Sequence, residues 1–291
     1  MENQHFSCLA VGVIDFNKSK FDFFEISDKN NVSIDPHLFF DLASLTKPLT
    51  LSATYHLHAE IFTEDMLCLL NHRAGLPSHG RLSQSDWREH LLSFPITASE
   101  TLYSDYSPLR LMLEIEKKMS KKLKDICSIY WDEDLVFWQD LKNGSLCPPT
   151  GFRRGKPIIG QVHDDKAYSI KEFTSHAGLF ATVRGLGESL LNLNKQTDFV
   201  SKMKKNFNTR KDFGRFLCGW DTVADPNETL AGLGCSKNTF GHLGFTGTSV
   251  WIDTDTYRAS IILTNATESY WYERSGLKLL RQSLGQMIWN S

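Results

Sequence analysis

Apolar runs suited to strands stand near both ends of this chain, with helical periodicity between them, and that arrangement restricts the fold more than any other feature. Cys8 to Phe16 and Phe21 to Ile26 flank Asn17-Lys18-Ser19-Lys20, a spacing that predicts a hairpin and therefore an antiparallel sheet. Ser249 to Ile252 and Ala259 to Leu263 read as strands, and Gly276 to Ile288 as a closing amphipathic helix. Helical patterns run from Leu42 to about Ile61, interrupted near Pro48, and then over Asp65–Asn71, Gln84–Ser93, Pro108–Met119 and Leu123–Trp131. Arg73-Ala74-Gly75-Leu76-Pro77 supplies a glycine-then-proline stop, and the proline- and glycine-rich stretch from Lys142 to Ile159 reads as an irregular surface loop. From Gly178 onward strand and helix signals mix. The expected organisation is a discontinuous sheet domain, residues 1–47 with 172–291, and a mostly helical domain, 48–171, with the ligand cleft between them.

Several function classes are disfavoured by composition. With 291 residues, 41% hydrophobic and a net charge of -2, the chain can bury a large core but has no bulk electrostatic reason to meet nucleic acid or a membrane surface. Lys117-Lys118 with Lys121, Lys122 and Lys124, and Lys202 with Lys204-Lys205, lack interleaved aromatics and read as solvated helix faces. The opening Met-Glu-Asn-Gln-His-Phe-Ser-Cys has neither a basic n-region nor an apolar h-region, and no run reaches the roughly 18 apolar residues of a membrane span. The six cysteines are widely spaced, without a Cys-x-x-Cys pair, which suits free buried thiols in a reducing compartment. A cytoplasmic location is expected. His56 and His58 fall in a helical context and there is no His-Glu-x-x-His, so no metal site is expected.

Chemistry enters at Phe39-Phe40-Asp41-Leu42-Ala43-Ser44-Leu45-Thr46-Lys47-Pro48. Ser44 and Lys47 lie three residues apart, which on a helix places hydroxyl and amine on one face. A serine is a poor nucleophile until a base takes its proton, and a lysine serves only where its surroundings lower its pKa. The same spacing recurs at Ser201/Lys204 and Ser275/Lys278. Spacing alone therefore favours an ordinary helix-start serine with a surface lysine one turn on. Pro48 cannot donate a backbone N–H to the Ser44 carbonyl, so a local rule is broken beside the candidate nucleophile.

Three ordered stretches make the chain resemble the serine beta-lactamase and penicillin-binding protein superfamily, in particular the branch of class C beta-lactamases, esterases and D-aminopeptidases. Ser44-x-x-Lys47 is the first. Leu102-Tyr103-Ser104-Asp105-Tyr106 is similar to the Tyr-x-Asn motif. Phe240-Gly241-His242-Leu243-Gly244-Phe245-Thr246-Gly247 is similar to the Lys-Thr-Gly strand in its His-x-Gly form. Leu69-Leu70-Asn71-His72-Arg73-Ala74-Gly75-Leu76-Pro77, and Gly160-Gln161-Val162-His163-Asp164 with Ala177-Gly178-Leu179-Phe180, resemble further family segments; the role of His163 and Asp164 stays open.

The resemblance implies an α+β, beta-lactamase-like fold: an antiparallel sheet flanked by helices, an all-helical insertion, and the active site in the cleft between them. It implies Ser44 as acylated nucleophile, Lys47 sharing the proton, and Tyr103 as a second base. It also implies an oxyanion hole from the N–H groups of Ser44 and Phe245, with Asp105, His242 and Gly244 lining the substrate site, and no metal or organic cofactor. Three departures matter. Asp105 stands for the usual asparagine, Leu243 for a threonine, and His242 for a lysine, which makes a positive charge there dependent on pH. Asp105 and His242 are expected to face each other as an ion pair that weakens recognition of a penicillin-like carboxylate. The implied activity is hydrolysis of a small-molecule ester or small amide through an acyl-enzyme, efficient beta-lactam hydrolysis being disfavoured. Alternatives are a D-amino-acid peptidase or amidase acting on wall-derived peptides, and a catalytically weakened sensor of the same fold. Substrate identity and oligomeric state are not legible here.

Overall fold

A computed structural model describes residues 4–27, 31–33, 37–210, 214–269 and 274–290. The first segments are β1 (Leu9–Asp15), β2 (Lys20–Ser27), β3 (Asn31–Ser33) and β4 (Phe40–Asp41), followed by a 3-10 turn (Ala43–Leu45), a π-helical turn (Pro48–Ser52) and α1 (Ala53–Leu57). The middle holds α2 (Glu64–Leu70), α3 (Trp87–Leu92), α4 (Tyr106–Met119), α5 (Leu123–Cys127), β5 (Leu135–Phe137), β6 (Phe152–Arg153), β7 (Lys156–Pro157) and α6 (Asp165–Ile170). The remainder is β8 (Leu179–Ala181), α7 (Val183–Thr197), α8 (Phe199–Thr209), β9 (Phe216–Leu217), β10 (Trp220–Thr222), β11 (Thr239–Leu243), β12 (Ser249–Asp253), β13 (Arg258–Thr264) and α9 (Ser275–Trp289).

One antiparallel sheet runs β3-β2-β1-β13-β12-β11-β10-β9, so strands from both ends of the chain meet at its centre, where Leu9 pairs with Thr264 and Asp15 with Arg258. Successive side chains on a strand point to opposite faces, and the packing follows that period. Ala10 and Ile14 join Ala259, Ile261 and Leu263 in the core that includes Leu186 and Leu190 of α7. Leu9, Val11 and Ile262 face the other way, into a cluster with Leu277 of α9. Both faces are thus covered, which explains why β1 and β13 read as continuous apolar runs. Close approach of α7 requires Gly187, since a β-carbon there would stand 2.2 Å from the Phe21 ring.

The middle of the chain is not wholly helical, as the sequence reading expected. β5 pairs with β8, which also pairs with β4, giving a small second sheet immediately before the Ser44 turn. The Lys142–Ile159 stretch contains the two-residue hairpin β6–β7. No helix among the described residues is long and apolar enough to cross a membrane.

Candidate active site

Ser44 sits on the 3-10 turn that follows β4, one residue after Ala43, whose φ of 47° lies in the left-handed region. A residue with a β-carbon is strained there, and such strain persists only where the surroundings over-determine it. Asp41 supplies part of that constraint. Its Oδ1 accepts the Ala43 N–H at 2.8 Å and its Oδ2 the His163 N–H at 2.6 Å, tying the turn to the Gly160–Asp164 segment. Burial pushes the Asp41 carboxyl up to about 7 despite these two donors. From the other side Thr246 and Thr248 donate to the carbonyls of Asp41 and Leu42. Gly244 lets β11 come this close: a β-carbon on it would stand 2.6 Å from the Leu42 carbonyl oxygen. The helix expected from Leu42 to about Ile61 thus begins as a 3-10 turn and a π turn, the latter starting at Pro48, and becomes α-helical only over α1.

That distorted geometry still stacks the two key side chains. Lys47 Nζ lies 2.9 Å from Ser44 Oγ and also donates to the His176 carbonyl at 3.1 Å. Asp105 Oδ1 is 2.9 Å from Lys47 Nζ, with Lys47 only 3% exposed. Burial alone would pull the ammonium toward neutrality, but Asp105 first and then Tyr103 reverse this and hold Lys47 above the usual lysine value. Asp105 is free to do so because it does not cap α4. Ser104 does, its Oγ accepting the N–H groups of Tyr106 at 2.9 Å and Ser107 at 3.3 Å. Asp105 Oδ2 meets a second cation, Lys166, at 3.0 Å. Against the opposing effect of burial, Lys47, His176 and Lys166 hold the Asp105 carboxyl far below the ordinary range.

Tyr103 packs among rings: His72 at 4.7 Å, Phe216 stacked at 5.8 Å and His242 at 5.9 Å between centroids. The Lys47 ammonium is 5.0 Å and the Arg215 guanidinium 6.0 Å from its ring centre. His242 Nδ1 lies 2.8 Å from the Leu243 carbonyl, which can only accept, so Nδ1 carries the proton and Nε2 a lone pair. Burial, reinforced by the Lys47 charge, lowers His242 to about 3. Ser44, Tyr103, His242, Gly244 and Phe245 line one cleft of about 230 Å³ together with Arg215 and Arg274.

No protein-family model matches the chain. A protein of Escherichia coli O157:H7 named "Putative D-alanyl-D-alanine carboxypeptidase" is 35% identical over 119 residues, 38% of this chain and 27% of its own length. Its counterpart of the same name in strain K12 is 34% identical over 125 residues, 40% of this chain and 29% of its own length. The similarity thus spans less than a third of these relatives. Solved structures match nearly the whole chain. EstCE1, "a hydrolase with promiscuous acyltransferase activity", superposes with a TM-score of 0.67 at 14% identity, covering 99% of this chain and 95% of that one. FmtA from Staphylococcus aureus gives 0.66 at 12%, covering 97% and 83%. A beta-lactamase from Mycobacterium bovis gives 0.62 at 16%, covering 98% and 95%. These likenesses show that the chain has the beta-lactamase-like fold.

Within that fold, the structure brings together Ser44, Lys47, Tyr103, Asp105, His242, Gly244 and Phe245, but two expectations about them fail. Asp105 does not pair with His242. Its two oxygens are taken by Lys47 and Lys166, which satisfy a buried carboxylate better than an imidazole that would itself have to be charged. Nor does His242 carry a pH-dependent positive charge near neutrality, because an imidazolium there would be desolvated beside Lys47. Of the other Ser-x-x-Lys pairs, Ser201 and Lys204 on α8 meet Tyr257 and Asp255, and Ser275 and Lys278 open α9.

Several site residues were not singled out by sequence. His72 stacks on Tyr103 and its Nδ1 accepts the Ser104 N–H at 3.2 Å. His176 donates from Nε2 to Asp164 at 2.9 Å, and Asp164 caps α6 by accepting the Ala167 N–H. Burial opposes ionisation of Asp164, but His176 outweighs it and holds the carboxyl low. Only His72, His163 and Asp164 lay within segments that carried the family resemblance; Lys166, His176, Arg215 and Arg274 had no local signal.

Proposed function

We propose that the protein is a serine hydrolase that forms an acyl-enzyme on Ser44 from a carboxylic ester or small amide and releases it to water. The observation that carries this reading is the 2.9 Å contact of Lys47 Nζ with Ser44 Oγ inside a cleft that Tyr103 and His242 also line. Because Asp105 keeps Lys47 as an ammonium, Lys47 donates to Ser44 Oγ and stabilises negative charge on it, while another group takes the hydroxyl proton. Tyr103 is that group in its phenolate form, its own proton lost to solvent before the substrate enters, with the cations of Lys47 and Arg215 5.0 and 6.0 Å from its ring centre. Ser44 Oγ attacks the carbonyl carbon. The developing oxyanion is met by the N–H groups of Ser44 and Phe245. Tyr103 then returns the proton to the departing alkoxide or amine as the C–O or C–N bond breaks. Water, losing its proton to Tyr103, cleaves the ester to Ser44 and regenerates the hydroxyl. His242 Nε2 offers a lone pair to a substrate donor at the cleft wall.

An amide substrate of the D-amino-acid peptide class is a second reading, favoured by the name carried by the curated relatives. The test common to both is covalent labelling. A fluorophosphonate should modify Ser44, identified by peptide mass, and not the Ser44→Ala variant. Absence of adduct on Ser44 would leave a binding protein of hydrolase fold.

A further inference from the structure

A second hollow, of about 810 Å³, lies beside the candidate active site, and its lining is strongly net positive. Arg81, Arg153, Arg154, Lys166 and Lys171 line it, against a single carboxylate, Asp165. Asp165 is already engaged by Arg153, which also donates to the carbonyls of Val162 and His163 and lies 4.0 Å over the Tyr168 ring. Lys166 is taken by Asp105. Among the described residues no carboxylate pairs with Arg81, Arg154 or Lys171, all of them exposed. Arg154 and Lys171 have φ of 52° and 56°, a conformation in which glycine or asparagine is the usual occupant. Each instead carries a cation at the rim of the same hollow.

This hollow shares no lining residue with the cleft containing Ser44 and Tyr103, yet the two are joined by three short contacts. Lys166 is 3.0 Å from Asp105, Asp105 2.9 Å from Lys47, and Lys47 2.9 Å from Ser44. Lys166 on the wall of the hollow is thus separated from Ser44 only by the side chains of Asp105 and Lys47. We propose that the hollow receives the acyl portion of the substrate and selects acyl chains that end in a carboxylate. The proposal rests on the acyl-enzyme reading above. In that reading the leaving group takes its proton from Tyr103 and so occupies the cleft with His242 and Arg215, which leaves the acyl chain the side of Asp105 and Lys166. A concave surface lined by one sign of charge concentrates the opposite one, most strongly at low ionic strength.

The test compares Ser44 labelling rates for two fluorophosphonates with equal chains on phosphorus, one ending in a carboxylate and one in its methyl ester. The wild-type chain should react about fivefold or more faster with the acid at low salt, the ratio shrinking as salt rises. In Arg81→Glu/Arg154→Glu/Lys171→Glu the ratio should fall to one or below, and in the milder Arg81→Gln/Arg154→Gln/Lys171→Gln it should fall part-way. A wild-type ratio at or below one, or a ratio unchanged in the Gln variant, overturns the proposal while leaving Ser44 as nucleophile. Failure of both probes to label Ser44 overturns the acyl-enzyme reading and this proposal with it.

Discussion

Lys166 places its ammonium 3.0 Å from one oxygen of Asp105 while Lys47 holds the other at 2.9 Å, so a single carboxylate joins two cations. The three groups together carry one net positive charge, as a lone lysine beside a neutral amide would. Lys166 therefore offsets the charge that Asp105 adds beside Ser44. Lys166→Met should lower kcat/KM by about tenfold, and Asp105→Asn by a comparable or larger factor, since each leaves a partly buried charge under-compensated. The double variant should recover to within a few-fold of wild type. A double variant as slow as the product of the singles would show that the two residues do not compensate each other.

Ser44→Ala should abolish turnover above background. Lys47→Ala and Tyr103→Phe should each cost on the order of 10²-fold or more in kcat, and the pair far less than the product, because groups that act as one unit are non-additive. Steady-state kinetics on a chromogenic ester measure all four variants.

Acid should destabilise the fold, and buried histidines set the direction. His56 and His242 are lowered by burial from 6.5 to about 3, so between those values the unfolded chain binds protons that the native one does not. Their stabilising effect is complete above about pH 6.5 and is lost as pH falls toward 3, at up to about 1.4 kcal/mol per pH unit for each. Asp41, raised from 3.8 to about 7, acts in the opposite sense: its contribution is full below 3.8 and is lost as pH rises toward 7. Two histidines outweigh one carboxyl. His56 lies away from the cleft, and its Nε2 is buried without a partner. His56→Phe should therefore gain about 2 kcal/mol in stability relative to wild type at pH 5 compared with pH 8. Denaturant unfolding at the two pH values measures this; an equal effect at both would place the acid sensitivity elsewhere.

Ala43→Gly and Ala43→Val separate strain from packing at the nucleophile turn. Glycine adopts a φ of 47° freely, whereas a β-branched side chain does so at a cost of roughly 1–3 kcal/mol. Ala43→Val should lower the melting temperature and reduce Ser44 labelling, while Ala43→Gly should leave stability within about 1 kcal/mol of wild type. Equal losses in both would assign the effect to the missing or added methyl contacts.

The strands at the chain ends were legible because period and sheet face coincide: Ala10 and Ile14 on one side, Leu9 and Val11 on the other. Ser44 and Lys47 were legible because three residues of sequence become one short contact in almost any helical turn. α7 gave a weaker signal, since Gly185 and Gly187 depress helix propensity; they are required by the close approach of Asp134 and Phe21. β9 and β10 are too short to show a period. Lys166 was invisible because its partner lies 61 positions earlier (166 minus 105) and only the tertiary fold brings the two together. The Asp105–His242 pair was misread because sequence gives the opposition of two motifs but not the desolvation that keeps an imidazole neutral.

β1 pairs with β13 along seven residues, Leu9 through Asp15 against Thr264 through Arg258. The turn bearing Ser44 precedes its wall by about 200 residues, and that wall, β11 with Gly244, is held in a sheet whose central partner strand comes more than 200 residues after β1. Closing so long a loop is slow compared with forming local helices. The Ser44 turn therefore acquires its wall only once β11 to β13 have been made, and a growing or truncated chain lacking them presents Ser44 without an opposing wall. Covalent labelling of Ser44 should in this sense report the docking of β11 to β13.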